Sequence, residues 1–293
     1  SFLEQALPIY RELGDRRGEG KVASNLAVNL RGENRFAEAR QWYDTALARM
    51  REVGDRRNEA MILNNLGVLA ISIGDVAAGR DSYEQSAVIA REVGERMSLG
   101  AAWVNLSTIC RMQEDYAQAL AYAQQALEVF ETIGTHYGAG HAWIRIGHAQ
   151  VGLARLEDAI AAYGNALTVR RETGTQMPVL ETLAGLARAH LRQGNAAQAL
   201  ADLDEVLAHT ATGQNFDGAE EPQWIYLICY EVLRANNDPR ADDLLAEGYR
   251  QLQEKAARFS DAHSRYLFLA NIPHHREIVK AVTGAYPAAP AAE

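Results

Sequence analysis

The sequence predicts an all-α fold, a right-handed solenoid of helical hairpins. Glycine recurs at an interval of 40 residues, at Gly14, Gly54, Gly94, Gly134 and Gly174. A column of leucine or isoleucine keeps this interval, at Leu26, Leu66, Leu106, Ile146 and Leu186. A column of small residues does the same, at Ala39, Gly79, Ala119, Ala159 and Ala199. Such a period is typical of stacked hairpins, because each hairpin can bury its apolar face only against its neighbours.

One period, residues 55–94, shows the predicted plan of each hairpin. Asp55 is expected to cap a first helix over 56–73 with its carboxylate. Small and apolar residues recur along this helix at the spacing of one helical face. Gly74-Asp75 ends it, and a second helix is expected over 76–93 before Gly94 ends the unit in a left-handed conformation.

The period divides the chain into successive units. Residues 1–13 match the second helix of a unit, so we expect a truncated repeat here and a longer parent protein. Five complete repeats are predicted, at 15–54, 55–94, 95–134, 135–174 and 175–213. Beyond them the period fades, and we predict a degenerate sixth hairpin over 220–259, capping helices over 260–283 and a disordered tail over 284–293.

Composition argues against several classes of function. The formal net charge is −9, which disfavours nonspecific nucleic-acid binding because that depends on many cations. No apolar run approaches the roughly 18 residues of a membrane span. A disulfide between Cys110 and Cys229 stays open, but free buried thiols in a reducing compartment are favoured, which predicts a cytoplasmic protein.

The residues within each period resemble the tetratricopeptide repeat. The Leu-Gly pair of that family falls on Leu66-Gly67, with relaxed versions at Leu26-Ala27, Leu106-Ser107, Ile146-Gly147 and Leu186-Ala187. The period is longer than the usual one of about 34 residues. It resembles the 40-residue variety of cell-polarity adaptors, of kinesin light chain and of the C-terminal sensor arms of bacterial STAND-type ATPases, transcription regulators and cyclases. Residues 268–278 also resemble the closing segment of such bacterial arms.

The resemblance implies that the first helix of each hairpin lines an inner, concave groove. Helical spacing of about 100° per residue then predicts the residues that line a peptide-binding groove: Asn25, Asn64, Asn65, Asn105, Arg111, His141, Arg145, His148 and Arg188. Asn25, Asn65 and Asn105 hold the same position in successive repeats. Because a carboxamide both donates and accepts hydrogen bonds, this column can hold the backbone of an extended peptide. Alternatively, these amides only join one repeat to the next.

The charge of this face favours an acidic ligand. It carries six cations against one carboxylate: Lys21, Arg31, Arg111, Arg145, Arg188 and Arg192 against Glu181. A positive groove in an acidic protein favours an acidic peptide, a C-terminal carboxylate or a phosphorylated segment. The alternative is that some of these arginines only solvate the rim or complement a helix dipole.

The remaining polar clusters predict no metal, cofactor or catalytic site. His274 and His275 are adjacent on a helix and therefore point in different directions, and no cysteine or carboxylate set completes a metal site. No phosphate loop, nucleophile elbow or zinc-helix motif is present. The sequence is therefore interpreted as that of a non-enzyme.

Two kinds of charged pair receive structural interpretations. The acidic pairs Glu220-Glu221 and Asp242-Asp243 are interpreted as solvated helix starts or faces. Arg16-Arg17 and Arg56-Arg57 lie at helix starts and are expected to bridge to acids in the preceding turn.

Together these observations predict a protein- or peptide-binding arm of a larger bacterial signalling or regulatory protein. The expected partners are proteins or peptides, with no nucleic acid and no membrane. Two alternatives stay open: a scaffold that self-associates, and the small-molecule sensor arm of a transcription activator.

Overall fold

The computed structural model describes residues 2–290, except for the side chain of Glu4, and these residues form sixteen α-helices. Five precede the division described below: α1 (Phe2–Glu12), α2 (Arg16–Gly32), α3 (Phe36–Glu52), α4 (Arg56–Ser72) and α5 (Val76–Glu92). Helix α6 (Arg96–Met112) includes residues 106 and 107, between which the chain divides into two compact units. The others are α7 (Tyr116–Thr132), α8 (His136–Gly152), α9 (Leu156–Glu172), α10 (Gln176–Arg192), α11 (Ala196–Asp202), α12 (Asp204–Ala211), α13 (Pro222–Ala235), α14 (Arg240–Ala256), α15 (Ala262–Ala270) and α16 (Pro273–Thr283).

The chain divides into two compact units, the first spanning residues 1–106 and the second residues 107–293. In the first unit, α2 packs on α3 and α4 packs on α5, while α3 packs on the following α4. In the second unit, α8 packs on α9, α10 on α11, and α13 on α14. Consecutive helices therefore form hairpins, and the fold class is the all-α helical repeat that the sequence predicts.

Helix and link lengths account for the 40-residue period. Each helix from α2 to α10 has 17 residues, and three residues link it to the next. The recurring glycine lies in the link that follows each second helix, with φ of 68° at Gly54 and 70° at Gly174. A side chain is strained in this left-handed region, which explains the glycine column. The links between the two helices of a hairpin do not always contain a glycine at the left-handed position, since Ala154 has a positive φ there.

Asp55 caps α4 as predicted, and Asp75 caps α5 in the same way. The Asp55 carboxylate accepts a hydrogen bond from the backbone N–H of Asn58 at 3.2 Å, and Asp75 accepts one from Ala78 at 3.0 Å. These bonds satisfy backbone donors that the first helical turn leaves without partners.

Small residues let the two helices of a hairpin approach closely. In the first unit, a Cβ atom built on Gly67 of α4 would lie 2.4 Å from the Tyr83 ring of α5. The Tyr83 and Tyr43 side chains are buried. Aromatic bulk on one helix therefore fits against glycine on its partner.

The paired arginines of the first unit join successive repeats. Arg17 Nε lies 3.0 Å from Oδ2 of Asp55, the capping residue of the next repeat. Arg57 pairs with Glu95 in the same way one repeat later. Arg16 pairs at 3.1 Å with Glu19, one turn ahead. The prediction of bridges to the preceding turn is therefore wrong, because the acids that face these arginines lie one turn later, at the end of the same repeat (Glu52 and Glu92) or in the next repeat.

The second unit departs from the regular plan towards its end. The helix after α10 is interrupted at the buried Leu203, which separates α11 from α12. Helix α16 begins at Pro273, packs against α13 and α14, and is followed by Gly284 with φ of 79°. Residues 285–290 are not helical, and the last three residues of the predicted tail, 291–293, lie outside the described residues. Cys110 and Cys229 are buried thiols that form no disulfide, as predicted.

Within residues 2–290, every helix is too short or too polar to cross a membrane.

Candidate functional site

The first unit exposes part of the face on which the sequence places the asparagine column. We call this surface the amide face: Lys21, Asn25 and Val28 of α2, Met61, Asn64, Asn65 and Val68 of α4, and Asn105 of α6. Lys21 and Asn25 are exposed, and Asn65 and Val68 are partly exposed. Val28 and Met61 retain 38% and 43% of their accessible surface. Carboxamides and apolar side chains therefore lie together on neighbouring first helices.

Two of these amides bond to each other. The Asn105 side-chain N–H donates to the Asn64 side-chain oxygen at 3.0 Å and so joins α6 to α4. This bond is of the kind expected if the amides join successive repeats. Asn25 and Asn65, in contrast, make no side-chain hydrogen bond within the described part of the chain. The face thus holds one pair of amides that bond to each other and two amides with unused donors and acceptors.

In the second unit, the corresponding face is covered by the protein's own chain. Residues 213–221, which make up most of the link between α12 and α13, are here called the covering segment. Its Phe216 is fully buried and packs against Tyr226, with ring centroids 4.7 Å apart. The backbone oxygen of Asn215 accepts a hydrogen bond from His209 Nε2 at 2.7 Å. An aromatic anchor and a backbone hydrogen bond therefore fix this segment in place.

The acidic end of the covering segment meets the predicted cationic residues. Glu220 pairs with Arg145 and His141 of α8. Glu221 Oε1 lies 2.5 Å from Nη2 of Arg111 at the end of α6. Arg111 and Glu221 keep 10% and 9% of their side-chain surface, so this pair is largely withdrawn from water. Buried charges need such partners, because an unpaired ion in the interior is costly.

Helix α10 completes the arrangement. Glu181 Oε1 accepts a hydrogen bond from the backbone N–H of Glu221 at 3.2 Å. Its Oε2 lies 3.3 Å from Arg170 Nη1, which also donates to the backbone oxygen of Pro178 at 2.7 Å. The segment is therefore held through its backbone as well as through its two carboxylates.

The ionisation of this cluster follows from burial and charge. Burial by itself would raise the pKa of Glu220, but Arg145 and His141 outweigh it and hold this pKa well below 4.5. Burial would also raise the pKa of Glu221, but Arg111 and the other nearby cationic groups together outweigh it and lower this pKa. Burial and the nearby Glu220 charge raise the pKa of Glu181. The two segment carboxylates are thus stabilised as anions by the cationic face.

His148 is a buried residue of α8 near this cluster. Its Nδ1 lies 2.7 Å from the Tyr163 hydroxyl, and its ring meets Trp224 edge to face with centroids 4.8 Å apart. Burial and the charges of Arg111 and Arg145 lower the pKa of His148 well below 6.5. His148 is therefore a neutral packing residue of the second unit.

Two sequence interpretations need correction here. Arg145 and His148 are only 5% and 3% exposed, so they do not line an open groove. The covering segment and Trp224 occupy the space in front of them. Glu221 is not a solvated acid, because Arg111 and Glu181 bind it in the interior. Asp242 and Asp243 are exposed in the first turn of α14, as predicted.

The sequence did not predict that Arg170, Glu220 and Glu221 belong to this cluster. The acidic pair directly precedes Pro222 outside the repeats, and Arg170 lies on a second helix. Arg188, which was predicted, is half-buried on α10. The one available signal was complementary charge, since an acidic pair lies in an irregular link of a chain with a cationic face.

The adjacent histidines are packed in the second unit. His275 Nδ1 lies 2.9 Å from the backbone oxygen of Phe268, and both His274 and His275 are buried. Among the described residues, no group of three or more His, Cys, Asp or Glu is arranged to hold a metal ion.

Family comparisons agree with the fold and the repeat pattern. Models described as tetratricopeptide repeat match residues 17–76 and 58–132, residues 140–173 and residues 179–208. The chain belongs to the tetratricopeptide-repeat family. A search of curated protein sequences gives no match.

Several solved structures share this fold at low sequence identity. A Rap protein complexed with competence and sporulation factor is 14% identical with a TM-score of 0.62, covering 91% of this chain and 76% of its own. Aspartyl phosphate phosphatase F from Bacillus subtilis is 16% identical with a TM-score of 0.63, covering 94% and 70%. A STAND protein with a tetratricopeptide repeat sensor from Pyrococcus horikoshii is 13% identical with a TM-score of 0.56. The similarity covers 90% of this chain but only 39% of that protein.

Proposed function

We propose that this chain is a protein- or peptide-binding tetratricopeptide-repeat domain and that the amide face of the first unit is its docking surface. One observation carries the proposal: Asn25 and Asn65 lie at one position of successive repeats with their hydrogen-bonding groups unused in the described chain. Asparagine is unfavourable inside a helix, because its amide competes with the backbone. A ligand supplies the reason for its recurrence.

The chemistry of the face suits an extended peptide. Each carboxamide can donate to a peptide carbonyl and accept from a peptide N–H. The exposed side chains of Val28 and Met61 provide apolar contacts for peptide side chains. Lys21, also exposed, favours a ligand with a carboxylate near this end of the face.

Two structural relatives support a role in sensing. One is a Rap protein in complex with competence and sporulation factor, and the other is a STAND protein that contains a tetratricopeptide repeat sensor. We therefore propose that the chain is the ligand-sensing or partner-docking arm of a larger bacterial signalling protein in the cytoplasm, and not itself an enzyme.

The binding role is tested with an array of 12-residue peptides, from which binders of the unmodified chain are selected. The double variant Asn25→Ala, Asn65→Ala should weaken their binding about tenfold or more, since each hydrogen bond contributes about 1 kcal/mol. The apparent Tm should stay nearly unchanged, because these amides make no bond within the described chain.

The matched control replaces two exposed carboxamides on second helices of the same unit, Gln41→Ala and Gln85→Ala. These changes should leave peptide affinity unaltered. An array without binders, or equal affinities for both double variants, would contradict the proposal.

Self-association is a second candidate function, favoured by apolar exposure at α1. Phe2 and Ile9 on this helix are 91% and 57% exposed, and Leu13 directly after it is 74% exposed. Light scattering on the unmodified chain distinguishes the two functions, because a scaffold would increase in mass with concentration while a peptide-binding monomer would not.

A further inference from the structure

We propose that Arg111, His141 and Arg145 form a second recognition surface, specific for a peptide segment with two adjacent carboxylates. The covering segment is the resident intramolecular ligand of this surface. A separate peptide of the same chemistry binds there when the segment's carboxylates are removed. This surface belongs to the second unit, so the inference does not depend on the amide face.

The origin of the paired groups supports this assignment. The cations lie on α6 and α8, the regular first helices of two successive repeats. The acids come from an irregular link outside that pattern. Arg111 and Glu221 are 110 residues apart, and Arg145 and Glu220 are 75 apart. The covering segment is therefore remote in sequence from the helices that it contacts, and its contacts resemble those of a separate chain.

The segment is also held in the manner of a bound peptide. Its two carboxylates meet cations, the backbone N–H of Glu221 meets Glu181, and Phe216 is inserted as an apolar anchor. Paired charges, a backbone hydrogen bond and a buried aromatic side chain therefore hold the segment together.

The resident segment leaves part of the surface unused. Nε and Nη1 of Arg145 and Nε of Arg111 are buried without a hydrogen-bond partner. Glu220 keeps 35% of its side-chain surface, so the edge of the contact is accessible. Buried donors without acceptors are costly. An incoming peptide with suitably placed oxygens can therefore bind at least as well as the resident one.

The test uses the full chain with Glu220→Ala and Glu221→Ala. The probe is a fluorescent synthetic peptide with the sequence of residues 213–222, and fluorescence anisotropy measures its Kd. The double variant should bind this peptide about tenfold or more tightly than the unmodified chain, in which the resident carboxylates compete. Saturating peptide should raise the apparent Tm of the variant by about 5 °C.

Three controls make the result specific. A peptide with both glutamates replaced by glutamine should not bind, and adding Arg145→Met to the double variant should abolish binding. Asp242→Ala with Asp243→Ala removes an exposed adjacent acid pair and should behave as the unmodified chain.

The single variant Glu220→Gln keeps the test decisive if the double variant does not fold. It preserves the shape of a partly exposed side chain and should still bind the acidic peptide more tightly than the unmodified chain does. Equal binding of the Glu and Gln peptides, or no gain in affinity in either variant, would overturn the proposal.

Discussion

Glu19 is a buried carboxylate that three arginines share in the first unit. Its side chain is 1% exposed and lies 3.0 Å from Arg11, 3.1 Å from Arg16 and 2.8 Å from Arg49. Burial alone would raise the pKa of Glu19, but hydrogen bonds from the three guanidinium groups outweigh it and lower this pKa. The ionised form is therefore the one that stabilises the fold, above the ordinary pKa near 4.5.

Replacing Glu19 by glutamine should lower the free energy of unfolding of the first unit by about 1–3 kcal/mol, because charge-assisted bonds are lost in a buried place. Urea denaturation at pH 7 measures this loss. It should shrink as the pH falls through the pKa of Glu19, where the native carboxylate takes up a proton.

Glu38→Gln is the matched control, since Glu38 pairs with Arg35 at the exposed surface. Exposed pairs contribute little, so this variant should unfold like the unmodified chain. Equal effects of the two substitutions would show that burial does not strengthen the Glu19 network.

At the scale of elements, Tyr163 determines how closely three helices of the second unit approach. A Cβ atom on Gly147 of α8 would lie 2.6 Å from its ring, and one on Gly185 of α10 would lie 2.5 Å from it. The ring of this α9 residue is fully buried. It therefore leaves no room for a methyl group on either neighbouring helix.

Gly147→Ala should destabilise the second unit by about 1–3 kcal/mol, because overpacking forces the ring or the helices to move. Gly164→Ala, on α9 beside Tyr163, should instead stabilise it by about 0.5–1 kcal/mol, since a Cβ atom there meets nothing within 4 Å. Thermal unfolding followed by circular dichroism measures both changes. Effects of the same sign would show that helix propensity, not contact with Tyr163, dominates at Gly147.

The regular elements could be predicted from sequence because their signals are local. A link glycine and one apolar face, with an aspartate cap at several helices, determine the hairpins from within about 20 residues on either side. The break at Leu203 was not predicted, because leucine favours helix and its burial in the second unit decides the local backbone.

The candidate site could be predicted only in part, for a reason of distance along the chain. Arg111 and Arg145 were found because the repeat fixes their helical face. Their partners Glu220 and Glu221 lie 75 to 110 residues away in a link without periodicity. Charge alone does not give such a pairing from a single sequence. The exposure of the predicted site residues was therefore overestimated where the irregular link folds back over them.

At the scale of the whole molecule, the two units differ in their titratable groups. All eight histidines of the sequence lie in residues 107–293, so the first unit has none. Burial lowers the pKa of His148 and His275 well below 6.5, and it lowers that of His274 to about 4. These histidines are neutral in the native state.

Acidification from pH 7 to pH 5 should therefore destabilise the second unit more than the first. The unfolded state takes up protons near pH 6.5 while the native state does not, so stability is lost as the pH falls below 6.5. The loss at pH 5 is about 2 kcal/mol for His274. The raised pKa values of Glu181 and Glu231 act in the opposite direction, but they are two groups against three.

Peptide-resolved hydrogen exchange at the two pH values, corrected for intrinsic rates, measures each unit separately. Protection should fall in helices α8, α13 and α16 and be retained in α2 to α5. A uniform loss, or a loss confined to the first unit, would contradict the prediction.

The junctions between repeats have a consequence for engineering. Arg17 meets Asp55, and Arg57 meets Glu95, at equivalent positions 38 residues further along. The block 55–94 thus contains both an acid that receives the preceding arginine and an arginine for the acid that follows. In a tandem duplication of this block, Arg57 of one copy would face Asp55 of the next. The block itself would thus provide both residues of the ion pair at the new junction, which offers a route to lengthened chains.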